Sequence, residues 1–372
     1  TFNGLSLGAV TEVYTETVLQ GQVAEQSPLE GLQVEPESPV DIAISIGIPA
    51  PVPVTTVQDL VDLISQSRYE QYQLDIENMG LGLYGGPNYN QGFRNRDFST
   101  STMTGTRGNQ EARLYLKDKF AIMGLDVSEQ GDYLNVIGEL TGTTTPEKVY
   151  ILGGHYDHVS GDMPGGDDNA SGTAGILEAA RVLSQYKFES TIIFICFNAE
   201  EDGLLGSADY VASLTTEQID NVQGMINFDM ILRPGSDMAP ERPIDVEVET
   251  NGSLEWAEKY VQAIADYVPT LVMGDLINSG DSWSDNDSFQ RAGISSFLVI
   301  ENSDGDWLDF PEGNTSVANT YYHHFEDASD RLANNPLTPL GVTYDYAFAT
   351  DVTRAAVGLL AQDAVLVDEA AE

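Results

Sequence analysis

Val149-Tyr150-Ile151-Leu152-Gly153-Gly154-His155-Tyr156-Asp157 is a short apolar run that closes on a histidine, with a carboxylate two places further on. A run of this length reads as a buried strand over 149–153. The same arrangement recurs twice. Thr191-Ile192-Ile193-Phe194-Ile195-Cys196-Phe197 is followed by Asn198-Ala199-Glu200-Glu201, and Met225–Phe228 is followed by Asp229. Three separate strands thus deliver ligand-type side chains just past their carboxyl ends, the edge at which open parallel sheets build their sites. Between the first two lies Asp167-Asp168-Asn169-Ala170-Ser171-Gly172, in a glycine-rich loop that opens a helix over 171–183.

Outward from these strands the alternation continues. A helix is expected over 109–123, starting at Asn109 and stopping at Gly124. Strands follow over 134–140 and 297–300, with helices over 206–213, 253–267 and 345–361. The alternation of apolar strands with amphipathic helices implies an α/β fold, a mainly parallel, mixed central sheet covered by helices on both faces. Upstream, Thr56 caps a helix with Asp59 three residues on and Val57, Leu60, Val61 and Ile64 as its apolar stripe. Residues 79–106, rich in Gly, Asn, Ser and Thr, read as a surface loop.

Residues 1–48 are different. Short alternating runs such as Ala9–Tyr14 and Pro39–Ile46, separated by Gly and Pro, are strand patterning. Residues 49–55 contain Pro49, Pro51 and Pro53 and read as a stiff linker, with the main domain over 56–372. The stretch from about Gly4 to Gly47 carries Gln26-Ser27-Pro28 followed by Gly31, and a last alternating strand ending in Ser45-Ile46-Gly47. It resembles the second half of a PASTA module. That resemblance implies cell-wall fragments as a partner of this segment, with a structural cap as the plainer expectation.

The balance of 59 acidic against 16 basic side chains, a net charge of -43, repels nucleic acid and anionic lipid. It suits a salty medium in which counterions screen self-repulsion. One cysteine, Cys196, excludes an internal disulfide, and no run approaches the ~18 apolar residues needed to cross a membrane. The sequence starts at Thr1, so an export signal would already have been removed. With few lysines and an acidic surface, the expectation is a secreted or periplasmic protein.

All four histidines fall in two frames, His155-Tyr156-Asp157-His158 and Tyr322-His323-His324 ahead of Asp327. Imidazole and carboxylate ligands without thiolates suit zinc, cobalt or manganese. Two cations ~3.5–4 Å apart need a bridging carboxylate and terminal ligands on each side. Asp168 is the candidate bridge, His155 with Asp229 would complete one metal, and Glu201 with His323 the other. A hydroxide held between two Zn2+ ions would attack a carbonyl. Glu200 would serve as general base, taking a proton from that water and passing it to the leaving amine. Asp157 is placed to accept the second N–H of His155 and fix its tautomer, and Asp327 to support His323.

Taken together, His155-x-Asp157, Asp167-Asp168-Asn169-x-Ser171-Gly172, Glu200-Glu201-x-Gly203-x-x-Gly206-Ser207, Asp229-Met230 and His323-x-x-x-Asp327 resemble the zinc aminopeptidases of the bacterial leucyl-aminopeptidase, aminopeptidase Y and glutamate carboxypeptidase clan. The resemblance covers about residues 56–362. It implies a zinc-exopeptidase fold, Asp168 as bridge with a cis peptide after it, Glu200 as base, and His323 rather than His324 as ligand. The family's Ser-Asp-His segment stands here as Ser284-Asp285-Asn286. The implied activity is removal of N-terminal residues from peptides with a free N-terminus. Alternatives are a carboxypeptidase, for which Arg233 is the best holder of a substrate carboxylate, a glutaminyl cyclase on the same fold, or a cell-wall-binding protein with a secondary enzymatic domain.

Overall fold

The computed structural model describes residues 5–15, 18–29, 32–80, 96–160, 164–233, 243–248, 251–278, 283–301, 323, 327 and 344–367. Tyr322 and His324, singled out in the sequence, lie outside them. In chain order the elements begin with β1 (Ser6–Val13), β2 (Val23–Ser27) and β3 (Pro39–Ser45), then α1 (Val57–Val61) and α2 (Gln66–Gly80). Next come β4 (Phe98–Ser99), β5 (Thr104–Gly105), α3 (Arg107–Ile122), β6 (Asp126–Gln130), β7 (Asn135–Leu140), β8 (Thr145–His155), α4 (Ala170–Leu183) and β9 (Ser190–Phe197). The chain continues through α5 (Leu205–Ser213), α6 (Thr216–Asn221), β10 (Val222–Phe228), β11 (Pro243–Val248), α7 (Asn251–Tyr267), β12 (Val272–Asn278), α8 (Asn286–Arg291), β13 (Ser296–Glu301) and α9 (Tyr346–Asp363).

The main sheet has eight strands in the order β12-β11-β13-β10-β8-β9-β7-β6. Its centre, β13-β10-β8-β9, is parallel throughout. Both flanks reverse, β11 running antiparallel to β13 and β7 antiparallel to β9. The sheet is mixed about a parallel centre, as the alternation implied. Period-two alternation along each strand serves two cores. Leu152, Phe194, Cys196 and Ile226 join the larger cluster with α4, α7 and α9. Ile151, Ile195, Phe197 and Met225 turn the other way, to Tyr210 and Val211 of α5 and Phe289 of α8. Because both faces are covered, the central strands are apolar at nearly every position.

The expected capping box at α1 is present: Asp59 N–H donates to the Thr56 hydroxyl at 3.1 Å, and Thr56 N–H donates to Asp59 at 2.8 Å. The helix expected from Asn109 starts two residues earlier, with Thr106 as its cap. The Asn109 side chain is buried and bonded elsewhere, to the Arg96 carbonyl and the Asn198 side chain.

Two stretches beside the site depart from the sequence reading. The first is α2, which the hydrophobic period does not reveal because its buried side includes Gln73 and Glu77. Gln73 donates to Glu77 and to the Gly166 carbonyl and accepts from Tyr346, so polar groups are paired where apolar ones would mark a helix face. The second is residues 96–105, expected as surface loop. Arg96 and Phe98 are buried, and β4 pairs with β5. At the amino end, β1, β3 and β2 form a separate three-stranded sheet, with β3 in the middle. In the stretch that follows, the Val52 carbonyl accepts from the Tyr186 hydroxyl at 2.9 Å. No helix among the described residues is long and apolar enough to cross a membrane.

Candidate metal centre

Strand ends deliver the site. His155 is the last residue of β8, Asp229 directly follows β10, and Glu200 and Glu201 follow β9 after a two-residue turn. Close packing behind them explains the local sequence. The Phe228 carbonyl lies so near β8 that a Cβ at position 154 would sit 2.4 Å from it, which requires Gly154. That carbonyl accepts from the Asn169 side chain at 2.8 Å, and Asn169 in turn caps α4 by accepting from Gly172 N–H at 2.8 Å. Ser171 donates to the Asp167 carbonyl at 2.6 Å and accepts from Ile231 N–H at 3.0 Å. The Asp167-Asp168-Asn169-Ala170-Ser171-Gly172 run thus stitches the start of α4 to the segment after β10. The Asp168–Asn169 peptide is cis, as the resemblance implied.

The side chains converge in two groups that share Asp168. His155 Nε2 lies 3.5 Å from Asp168 Oδ1 and 3.4 Å from Asp229 Oδ1. His323 Nε2 lies 3.3 Å from Asp168 Oδ2 and 3.1 Å from Glu201 Oε2. One carboxylate therefore turns one oxygen to each group. Glu200 Oε2 is 3.9 Å from His155 Nε2. The triads His155–Asp168–Asp229 and Asp168–Glu201–His323, and a third of His155, Glu200 and Glu201, are each compact enough to hold an ion.

Donor spacing tests that reading. Ligand atoms about 2.0–2.1 Å from a tetrahedral zinc lie about 3.3 Å from one another, and the four histidine–carboxylate separations within the first two triads run from 3.1 to 3.5 Å. His155 Nε2 and Asp229 Oδ1 are buried with no hydrogen-bond partner among the described residues, which is costly unless a cation takes the lone pairs. The other oxygens of the terminal carboxylates are already anchored. Ser284 donates to Asp229 Oδ2 at 2.7 Å and is itself held by Asn227 at 2.8 Å. Val159 N–H donates to Glu201 Oε1 at 3.0 Å. The donor set fits divalent zinc.

Electrostatics point the same way, because four carboxylates meet only two imidazoles. Burial, reinforced by Glu201, pushes Asp168 up to about 8 against the pull of His323. Burial holds Glu200 well above the carboxylate range; His155 opposes it, and Glu201 and Asp229 add to it. Burial disfavours a charged His155, yet Glu200 and Asp229 keep its pKa well above the ordinary value. His323 is likewise raised to about 10, Asp168 and Glu201 outweighing burial. Divalent cations would relieve this excess of negative charge.

Asp157 stands where the sequence puts it. Its Oδ1 is 3.5 Å from His155 Nδ1, and its two oxygens also receive the Glu200 and Glu201 N–H groups at 3.2 and 3.3 Å. It therefore fixes the Glu200-Glu201 turn beside the His155 ring. Asp327 is buried beside the Asp168 loop. Its described hydrogen bonds come from the N–H groups of Asp167 and Asp168, at 3.0–3.1 Å, and from the Tyr344 hydroxyl at 2.7 Å, so it steadies the Asp168 loop. His158 is fully buried, with Nδ1 2.7 Å from the Val159 carbonyl, and Met230 packs with Leu298 and Ile300. Trp283 is exposed. Arg233 gives its backbone N–H to Glu301 at 2.5 Å.

Sequence reasoning missed an amide relay behind Glu200. Asn135 accepts from Asn198 N–H at 3.1 Å, and the Asn198 side chain donates to the Tyr133 carbonyl at 2.7 Å and accepts from Asn109 at 2.8 Å. No motif marks these asparagines, since their partners are far apart in the chain.

Peptidase family M28 matches residues 135–343, more than half of the chain. A probable zinc metalloprotease of Leptosphaeria maculans is 29% identical over 237 residues, covering 59% of this chain and 54% of its own length. Aminopeptidase YwaD of Bacillus subtilis is 34% identical over 198 residues, 53% of this chain and 39% of its own. The chain thus spans about half or less of the length of these curated relatives. Among solved structures, the Legionella pneumophila LapA aminopeptidase is similar with a TM-score of 0.61 at 22% identity, over 85% of this chain and 77% of that one. Porphyromonas gingivalis glutaminyl cyclase follows with 0.58 at 17%, over 81% and 99%. At these identities the structural likeness concerns the fold alone.

Proposed function

The chain belongs to peptidase family M28, and from that premise we propose that it is a two-zinc exopeptidase that removes N-terminal residues from peptides. The observation that carries the proposal is the division of Asp168, with Oδ1 toward His155 and Asp229 and Oδ2 toward Glu201 and His323. Two zinc ions held by these residues would polarise a carbonyl and ease deprotonation of a water. Glu200 is the proton carrier. It is buried, its turn is fixed by Asp157, and burial raises its proton affinity well above that of an ordinary carboxylate. In this role it accepts a proton from the attacking water and delivers it to the departing amine. Asp157 holds the Glu200 N–H and places a carboxylate oxygen 3.5 Å from His155 Nδ1, so the base stays aligned beside the ring.

The carboxylate excess supports an amino- over a carboxypeptidase. A free N-terminus arrives as an ammonium group, which a chain of 59 acidic against 16 basic side chains attracts, and few cations are on hand to hold a substrate carboxylate. The relatives' names, zinc metalloprotease and aminopeptidase, agree with this reading.

The test is a panel of amino-acid anilides beside N-blocked peptides with free C-termini. Hydrolysis of the free-amine anilides is expected, abolished by a chelator and restored by zinc or cobalt. Release of C-terminal residues alone, or cyclisation of N-terminal glutamine without hydrolysis, would reject the proposal.

A further inference from the structure

Behind the carboxylates lies a cation that the proposed chemistry does not use. Arg96 is fully buried. A buried guanidinium ordinarily faces a carboxylate, but the described hydrogen bonds of this one all go to backbone carbonyls. Nε donates to Tyr156 at 2.9 Å, Nη1 to Pro164 at 2.6 Å and to Ile76 at 3.3 Å, and Nη2 to Gly165 at 2.8 Å. Tyr156 lies between His155 and Asp157. Pro164 and Gly165 begin the loop that carries Asp168. Ile76 belongs to α2, whose Gln73 holds the Gly166 carbonyl of the same loop.

Two further contacts extend the clamp. The Arg96 carbonyl accepts from Asn109 at 2.7 Å, and Asn109 also holds Asn198, two residues before Glu200. Gly165 has φ +59°, and a Cβ there would lie 2.2 Å from His158 Cδ2, 2.3 Å from the Asp168 carbonyl and 2.9 Å from Arg96 Nη2. The loop can lie on the guanidinium only because this residue is glycine. The planar fork matches a fan of fixed acceptors, which a lysine ammonium on a flexible stem does not.

We infer that Arg96 is a positioning residue for the metal centre: its guanidinium bridges the carbonyls of Tyr156, Pro164 and Gly165 and so sets the spacing between His155 and Asp168. Its positive charge also faces Asp327, Asp168 and Asp157, which limits the repulsion among carboxylates brought together there. Arg96 touches none of the reacting groups. Its effect passes through the ligands, and the inference rests on the zinc reading proposed above.

The test compares the full chain with its Arg96→Lys variant, which keeps the charge and loses the fork. Zinc affinity is read by competition with a fluorescent chelator, the ligand field by the visible spectrum of the cobalt-loaded protein, and folding by melting of the metal-free protein. Zinc affinity is expected to fall about 10–100-fold, with an altered cobalt spectrum and a cooperative melt. Should Arg96→Lys fail to fold, Arg96→Gln, which keeps an amide donor for these carbonyls but not the fork, takes its place with the same readouts and should weaken zinc in the same way. Wild-type zinc affinity and cobalt spectrum in a folded variant would overturn the inference while leaving the functional proposal standing. A wild-type protein that takes up no zinc would overturn both.

Discussion

Glu200→Gln is expected to cut kcat by ~10²–10⁴ while zinc content and KM stay near wild-type values. Glutamine keeps the shape of the side chain and its place in a turn fixed by Asp157 and by the buried amides of Asn135, Asn198 and Asn109. What it removes is the oxygen that takes up a proton. Glu200 Oε2 is 3.9 Å from His155 Nε2, at the margin of the ligand cluster. Metal uptake through Asp168, Asp229, Glu201 and the two histidines should therefore survive. Steady-state kinetics on an amino-acid anilide, with zinc measured on the same sample, decides the matter. Wild-type turnover in the variant would remove Glu200 from the proton path.

Asp168→Ala should have the opposite signature, because activity is lost through the metal. Asp168 offers an oxygen to each triad, so alanine removes a ligand from both at once. It also leaves His155 Nε2 and Asp229 Oδ1 buried without the carboxylate between them. Equilibrium dialysis should show both zinc ions bound far more weakly, by at least the 10–100-fold that loss of a supporting residue alone can bring. Activity at limiting zinc should fall to background. The fold should persist, since the Asp168 backbone is held by Asp327 and Asn169 caps α4. Retention of two tightly bound zinc ions would show that Asp168 bridges nothing.

The site was legible in the sequence to the extent that strand ends are. Apolar runs at 149–153, 191–197 and 225–228 announce buried parallel strands, and a polar residue right after such a run stands at the sheet edge. His155, Glu200, Glu201 and Asp229 were found in this way, while Asp168 and His323 needed the spacing of the whole set. The supporting polar layer had no such signal. Arg96 stands in a run of Asn, Gly, Ser and Thr that reads as surface, and only the carbonyls of Tyr156, Pro164 and Gly165 make its burial affordable. Ser284 was read as part of a motif, but its bond to Asp229 spans 55 positions and has no local trace.

The periphery was harder for a different reason. In β11 the alternation Ile244-Asp245-Val246-Glu247-Val248 is that of a strand, and Ile244, Val246 and Val248 are buried against the α7 side. Its acidic residues blend into a chain with 59 carboxylates, so the pattern stands out little. β12, an edge strand, exposes Val272 and Leu276 and gains little from burial. Helix α2 hides its period because Gln73 and Glu77 face inward toward the Asp168 loop. In each case tertiary partners, rather than local propensity, decide the element.

The central claim is that two zinc ions share Asp168, and anomalous diffraction at the zinc edge from crystals of the metal-loaded protein tests it most directly. Two peaks are predicted, one flanked by His155 and Asp229, the other by Glu201 and His323, with the Asp168 carboxylate between them. A single peak, or two peaks of which neither touches Asp168, would contradict it.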